Sequence, residues 1–349
     1  MATDVITGGQ GGDEGKGKIC AYLAKEKKYS ICIRVPSPQA GHSIHYNGKR
    51  IGLALLSCGV VNPSSRIFIG AGGLISLEKL ASELSQLPGL LEDARLGIDY
   101  RATIVTPEHK EKEKSNEYLM KNVGSVGTGV SQCRIEKILR DPNLKFARDI
   151  PELKPFLVDT KKEIFEALER GEHILLEGDH GAKLDLIHGE YPMVTTRAVN
   201  AAGFLSEAGI GPKSVGDIYI VLKPYTTRVA AGPMQGEIFD EKILEWGHNV
   251  GGETGTVSKR LRRMSNFEWE NVQEVIRMNS ATKLVFTHMD APEYVWNALG
   301  YKGDMDFLAN VDKKLCQKWP FPQISLLSYG PEEKHVITYT EYLDGFLKK

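Results

Sequence analysis

The segment Gly8-Gly-Gln-Gly-Gly-Asp-Glu-Gly-Lys-Gly-Lys18 constrains this chain more than any other stretch. It follows a short β-rich run, Asp4–Thr7, and precedes Ile19, Tyr22 and Leu23 at helical spacing. Glycines let the backbone turn sharply and approach a ligand without Cβ clashes. A strand, a glycine loop and a helix in succession present free N–H groups at a helix N-terminus, which favours phosphate. Gly12–Lys18 fits the phosphate-loop spacing GxxxxGK, and Lys16 and Lys18 suit a triphosphate better than a dinucleotide. Ile19 stands where Ser or Thr would help hold magnesium, so Asp13 is the candidate for that task.

The rest of the chain repeats the alternation. Tyr29–Val35, Arg66–Gly70, His173–Leu176, Asp217–Leu222, Lys283–Thr287 and Ile324–Leu327 read as strands. Between them lie helical patterns at Leu77–Leu87, Lys161–Arg170, Phe267–Met278 and Met305–Cys316. This predicts an α/β fold, one elaborated domain over residues 1–349 around a central, largely parallel sheet. A net charge of -1 supplies no overall field for nucleic acid or acidic membranes. No apolar run is long enough to span a bilayer, and five scattered cysteines form no CxxC pair. A reducing cytoplasm is the expected setting, with no nucleic-acid or membrane partner.

A second loop, Pro36-Ser-Pro-Gln-Ala-Gly-His-Ser43, follows the second strand. Loops at the carboxyl ends of neighbouring parallel strands share one crevice, so His42 is expected to face the phosphates near Asp13.

Gln10–Lys18 and Ala40-Gly-His-Ser43 together resemble the signature QWGDEGKGK and AGH[TS] loops of the adenylosuccinate synthetase family. The likeness continues in order along the chain. Glu177-Gly-Asp-His-Gly181 with Tyr191–Thr196 resembles EGAQG…YPYVTS, and Lys223–Pro233 resembles KxYxTRVGAGP. Gly255–Arg263 sits where the aspartate-binding loop GTxTGRRRR belongs, and Ser328-Tyr-Gly-Pro331 resembles SxGP.

The resemblance implies a two-step ligation. A purine 6-oxygen is phosphorylated by ATP or GTP, and the amine of L-aspartate then displaces that phosphate. By the same match Asp13 is the N1 base and, with the Gly41 carbonyl, a Mg2+ ligand; His42 donates to the transferring phosphate. Gly12, Glu14, Gly15, Lys16, Gly17, Lys18 and Ser43 would hold the triphosphate, with Asp290, Ser328 and Gly330 at its base. The purine monophosphate falls to Gln39, Ser125, Val126, Thr128, His180, Thr195 and Arg260, with Arg140 lent across a homodimer interface. Aspartate falls to Val257, Ser258, Arg260 and Arg262, since guanidinium forks match carboxylates.

Several positions depart from the IMP-using pattern. Lys259 and Leu261 replace a glycine and an arginine of the aspartate loop, His180 replaces the purine-touching glutamine, and Val126 replaces a threonine of the monophosphate loop. Ser258–Arg263, Thr196-Arg197, Lys137–Pro142 and Ala147–Asp149 resemble instead a phage branch that converts dGMP to N6-succino-2-amino-2′-deoxyadenylate. That branch replaces the catalytic aspartate with a small residue, whereas Asp13 is present here. The expectation is a dGMP ligase; an ordinary IMP enzyme, a regulatory GTPase and a nucleotide-binding module are the alternatives.

Overall fold

The computed structural model of the protein describes residues 2–229, 232–254 and 260–347. Ten strands form one sheet in the order Val336–Thr338, Gln323–Ser328, Lys283–Phe286, Val215–Leu222, Thr3–Gly8, Ile174–Glu177, Ile31–Arg34, Arg66–Ile69, Leu96–Asp99, Leu157–Val158. All neighbours pair parallel except the first two named, which are antiparallel. The predicted strands are all present, within one or two residues at either end. Leu96–Asp99 and the two edge strands, Leu157–Val158 and Val336–Thr338, were not predicted; the edge strands are too short to show a period.

Each central strand is apolar on both faces, as a sheet covered on both sides requires. Val5, Ile31, Ile33, Leu176 and Ile220 point into one core, with Phe204, Trp246 and Phe307 from the elements above it. Ile6, Cys32, Leu175 and Val221 point the other way, onto Ile19, Leu23, Leu56 and Val60. Ile19 is therefore a core residue with no access to a metal, consistent with the transfer of that task to Asp13.

The first strand lies at the middle of the sheet, between Val215–Leu222 and Ile174–Glu177. Because the strands run parallel, the glycine loop, the Pro36–Gly41 loop, Gly178–Gly181 and the segments opening at Lys223, Thr287 and Tyr329 all emerge at the same edge. His42 begins a strand, His42–Tyr46, paired antiparallel with Lys49–Leu53, where the sequence suggested continuing loop. The helical pattern at 305–316 is a helix, Asp304–Val311, continued by a wider turn over Asp312–Cys316.

Candidate active site

The glycine loop is held from inside. The Glu14 carboxylate, fully buried, accepts from the N–H groups of Gln10 and Gly12 at 2.9 Å each and pairs with Lys16 Nζ at 2.6 Å. Burial opposes its charge, but the Lys16 ammonium overrides that and keeps the carboxyl below its ordinary value. Any Cβ at Gly8 would lie 2.6 Å from Glu14 Oε2, so the loop closes only over glycine. Gly15, at φ 83°, caps the helix Lys16–Glu26 in the left-handed conformation. Glu14 thus serves as the loop's internal staple, and Lys16 in this state faces it in place of a phosphate. Lys18 reaches Gly330 O at 2.5 Å and feels the Asp290 charge; burial brings its ammonium down to about 8. Ser328 Oγ also meets Gly330 O, at 3.3 Å, so the expected base-end residues form one wall.

Beside this loop opens a cavity of about 520 Å³. Gly12, Asp13, Gln39, Gly41 and His42 line one side, and Ser125, Val126, His180 and Thr195 line others. Asp13 and His42 therefore share one space, as their strand positions predicted. Burial raises the Asp13 carboxyl above its usual range, opposed first by Arg262 and then by Lys223. The cation paired with Asp13 is Arg262, whose Nη2 lies 2.9 Å from Asp13 Oδ1.

His42 is set by a residue for which the sequence offered no role. Its Nδ1 lies 2.5 Å from Glu177 Oε1. Glu177 also accepts from Ser57 Oγ and Cys58 N at 2.7 Å and from Cys20 Sγ at 3.0 Å, with Arg34 at 3.9 Å. Against burial, these partners hold the Glu177 carboxyl at about 2. An ionised carboxylate only accepts, so Nδ1 carries the proton and Nε2 keeps its lone pair. Nε2 is buried and has no partner among the described residues. Burial, then Arg34, push the imidazole down to about 4, so the ring is neutral near pH 7. His42, Cys58 and Glu177 lie close enough to bracket an ion, but Glu177 is already saturated with donors and thiol ligands do not suit magnesium. Oxygen donors of the kind magnesium takes are instead offered to the cavity by the Asp13 carboxylate and the Gly41 backbone.

His180 adopts φ 57° at the cavity wall, with Nδ1 3.0 Å from Asp179 Oδ1 and Nε2 3.4 Å from Gln39 Nε2. Gln39 also donates to Thr195 Oγ1 at 2.7 Å. Behind them Asp179 pairs with Arg197, which pairs with Glu207. In the expected monophosphate cradle, Ser125 bonds Glu113 and Thr128 Oγ1 is buried without a partner among the described residues. Arg260 Nη1 reaches Gly124 O of this cradle at 3.4 Å. Arg140 lies elsewhere, exposed at the end of helix Val130–Leu139 and not on the cavity. Ser43 bonds Arg50 in the hairpin. Val257 and Ser258 lie outside the described residues.

Comparison with known proteins follows this geometry. The sequence profile described as adenylosuccinate synthetase matches residues 5–148 and 143–297. The adenylosuccinate synthetase of Thermococcus sibiricus is 36% identical over 348 residues, covering 98% of this chain and 99% of that protein. That of Methanocaldococcus jannaschii is 39% identical over 292 residues, 83% of each chain. Among solved structures, cyanophage S-2L succinoaminodeoxyadenylate synthetase bound to dGMP and dATP superposes with a TM-score of 0.80 at 25% identity, over 99% of this chain and 97% of that one. Fully ligated adenylosuccinate synthetase from Plasmodium falciparum, at 22% identity over 97% and 100%, also gives 0.80 and shares the fold.

Proposed function

This chain belongs to the adenylosuccinate synthetase family, and from that premise we propose that its purine substrate is dGMP. Family membership makes it a carbon–nitrogen ligase that joins aspartate to a purine nucleotide. The finer reading rests on His180. With Nδ1–H given to Asp179, its Nε2 is an acceptor at the cavity wall, where the Gln39 amide donates to it only at a long 3.4 Å that a purine donor would displace. An acceptor there suits a purine edge rich in donors, and guanine carries an exocyclic amine that hypoxanthine lacks. Val126 and Leu261 add aliphatic groups where the family pattern has hydroxyl and guanidinium, which fits a 2′-deoxyribose. The dGMP-bound phage enzyme among the structural neighbours supports the same choice. A second reading, IMP with GTP, is favoured by the name shared by the archaeal relatives.

In the proposed mechanism Asp13 takes the N1 proton, and the purine 6-oxygen attacks the γ-phosphorus as the nucleoside diphosphate leaves. Burial makes Asp13 a better base than an exposed carboxylate. His42 is neutral without substrate; it takes a proton at Nε2 from solvent as the anionic phosphates bind, Glu177 stabilises the imidazolium, and Nε2–H then donates to the phosphoryl oxygens. The amine of aspartate then attacks C6 and phosphate departs. Arg262, with Arg260 and Ser258, would receive the aspartate carboxylates. Asp13 and Gly41 would hold Mg2+, which when bound neutralises triphosphate charge. Arg140, beside exposed Ile138 and Leu139, would serve the neighbouring subunit of a homodimer.

The deciding experiment measures succino-nucleotide formation from L-aspartate and Mg2+, with dGMP or IMP and with ATP or GTP. Product from dGMP and little from IMP is expected. Product from IMP alone would transfer the assignment to the second reading.

A further inference from the structure

Arg262 is held by a residue to which neither the sequence nor the family likeness gave a part. Glu253 is fully buried in the segment that leads into the aspartate loop. Its backbone carbonyl accepts from Arg262 N at 3.1 Å, and its Oε2 meets Arg262 Nη1 at 2.8 Å. Thr254 and Leu261 form an antiparallel bridge one residue further in. Glu253 thus grips Arg262 through both main chain and side chain and closes the base of the loop. Its Oε1 accepts from Lys223 Nζ at 2.7 Å and Tyr225 OH at 2.8 Å, which fix it to the segment after a central strand. His288 Nε2 lies 3.8 Å away.

The grip dictates what Arg262 can still do. One amino group is committed to Glu253 and the other to Asp13. Arg262 is only 8% exposed, yet its Nε has no partner among the described residues. A buried donor without an acceptor is costly, and Arg262 reaches the cavity through Asp13, which lines it, so its Nε–H marks a place for a ligand acceptor. We propose that Glu253 is a positioning residue for L-aspartate: it locks the Arg262 guanidinium so that its Nε–H meets a substrate carboxylate. This rests on the ligase reading above and deepens it. It is independent of whether the purine is dGMP or IMP.

The test compares wild type, Glu253→Gln and Glu253→Asp with whichever monophosphate the wild type accepts. Removing one partner of a buried charge pair weakens the dependent contact strongly, so E253Q should raise the KM for L-aspartate by about tenfold or more. The KM for the monophosphate should rise several-fold less than that for aspartate, because Glu253 reaches the purine only through Arg262 and then Asp13. E253D, which keeps the charge, should recover part of the loss. A KM for aspartate that stays at the wild-type value, or a rise shared equally by both substrates, overturns the proposal. Thermal melts identify variants that have lost the fold; E253D then carries the comparison. Calorimetric titration of L-aspartate into enzyme with monophosphate reads the same grip without turnover. Wild type that binds aspartate but forms no succino product would sink the ligase reading while leaving Glu253 testable.

Discussion

At the scale of single residues, the site is built from charges whose partners are chosen before substrate arrives. Asp13→Ala removes the proposed N1 base, and kcat should fall by about 100-fold or more, measured at saturating substrates. Glu177→Gln keeps the shape but releases His42 from its fixed tautomer. Its kcat should drop by about 10- to 100-fold with monophosphate affinity little changed, as for other residues that orient a working histidine. His288 bears on acid stability. Burial chiefly, offset by Glu253, takes its imidazole down to about 3 from 6.5. Between these values the unfolded chain holds a proton that the folded chain refuses, so acidification through this window favours unfolding. His288→Asn should therefore flatten the fall in melting temperature between about pH 6.5 and pH 3.

At the scale of elements, the glycine loop and its helix act as one unit. Gly15 has open surroundings, the nearest atom to an added Cβ being 3.5 Å away, so Gly15→Ala tests backbone conformation alone. It should cost about 1–2 kcal/mol in denaturant melts, the penalty of a left-handed L-residue. Gly17→Ala meets His42 Cβ at 2.8 Å, so it should depress activity as well as stability. These elements were legible in the sequence because they rest on local signals: glycine spacing, helical periodicity and β-rich runs. Asp13 and His42 were found that way, and the parallel topology brought them together. Glu177, Glu253 and Asp179 were not singled out, because a buried acid draws its meaning from partners that only folding brings beside it, 9 positions away for Glu253 and Arg262, 18 for Asp179 and Arg197 and 157 for Glu177 and Cys20. Lys16 shows the reverse case: its partner, Glu14, is two residues away, and the pair closes on itself. Short edge strands left no period to read.

At the scale of the whole molecule, substrate choice is a property of the assembled crevice. Leu261→Arg should shift preference toward the ribonucleotide, read as the ratio of kcat/KM for dGMP and GMP, by about tenfold or more. The sheet order carries a different consequence, for how the protein is made. The central strand, Thr3–Gly8, is made before both of its sheet neighbours, Ile174–Glu177 and Val215–Leu222. Throughout the synthesis of nearly half the chain, the phosphate loop has no scaffold to hold its shape. The acid–arginine grip at Glu253 and Arg262 arrives later still. Long-range pairing of this kind folds slowly. A nascent chain therefore carries the glycine loop unsupported until Val215–Leu222 is made, and the Glu253–Arg262 pair closes on Asp13 only after that.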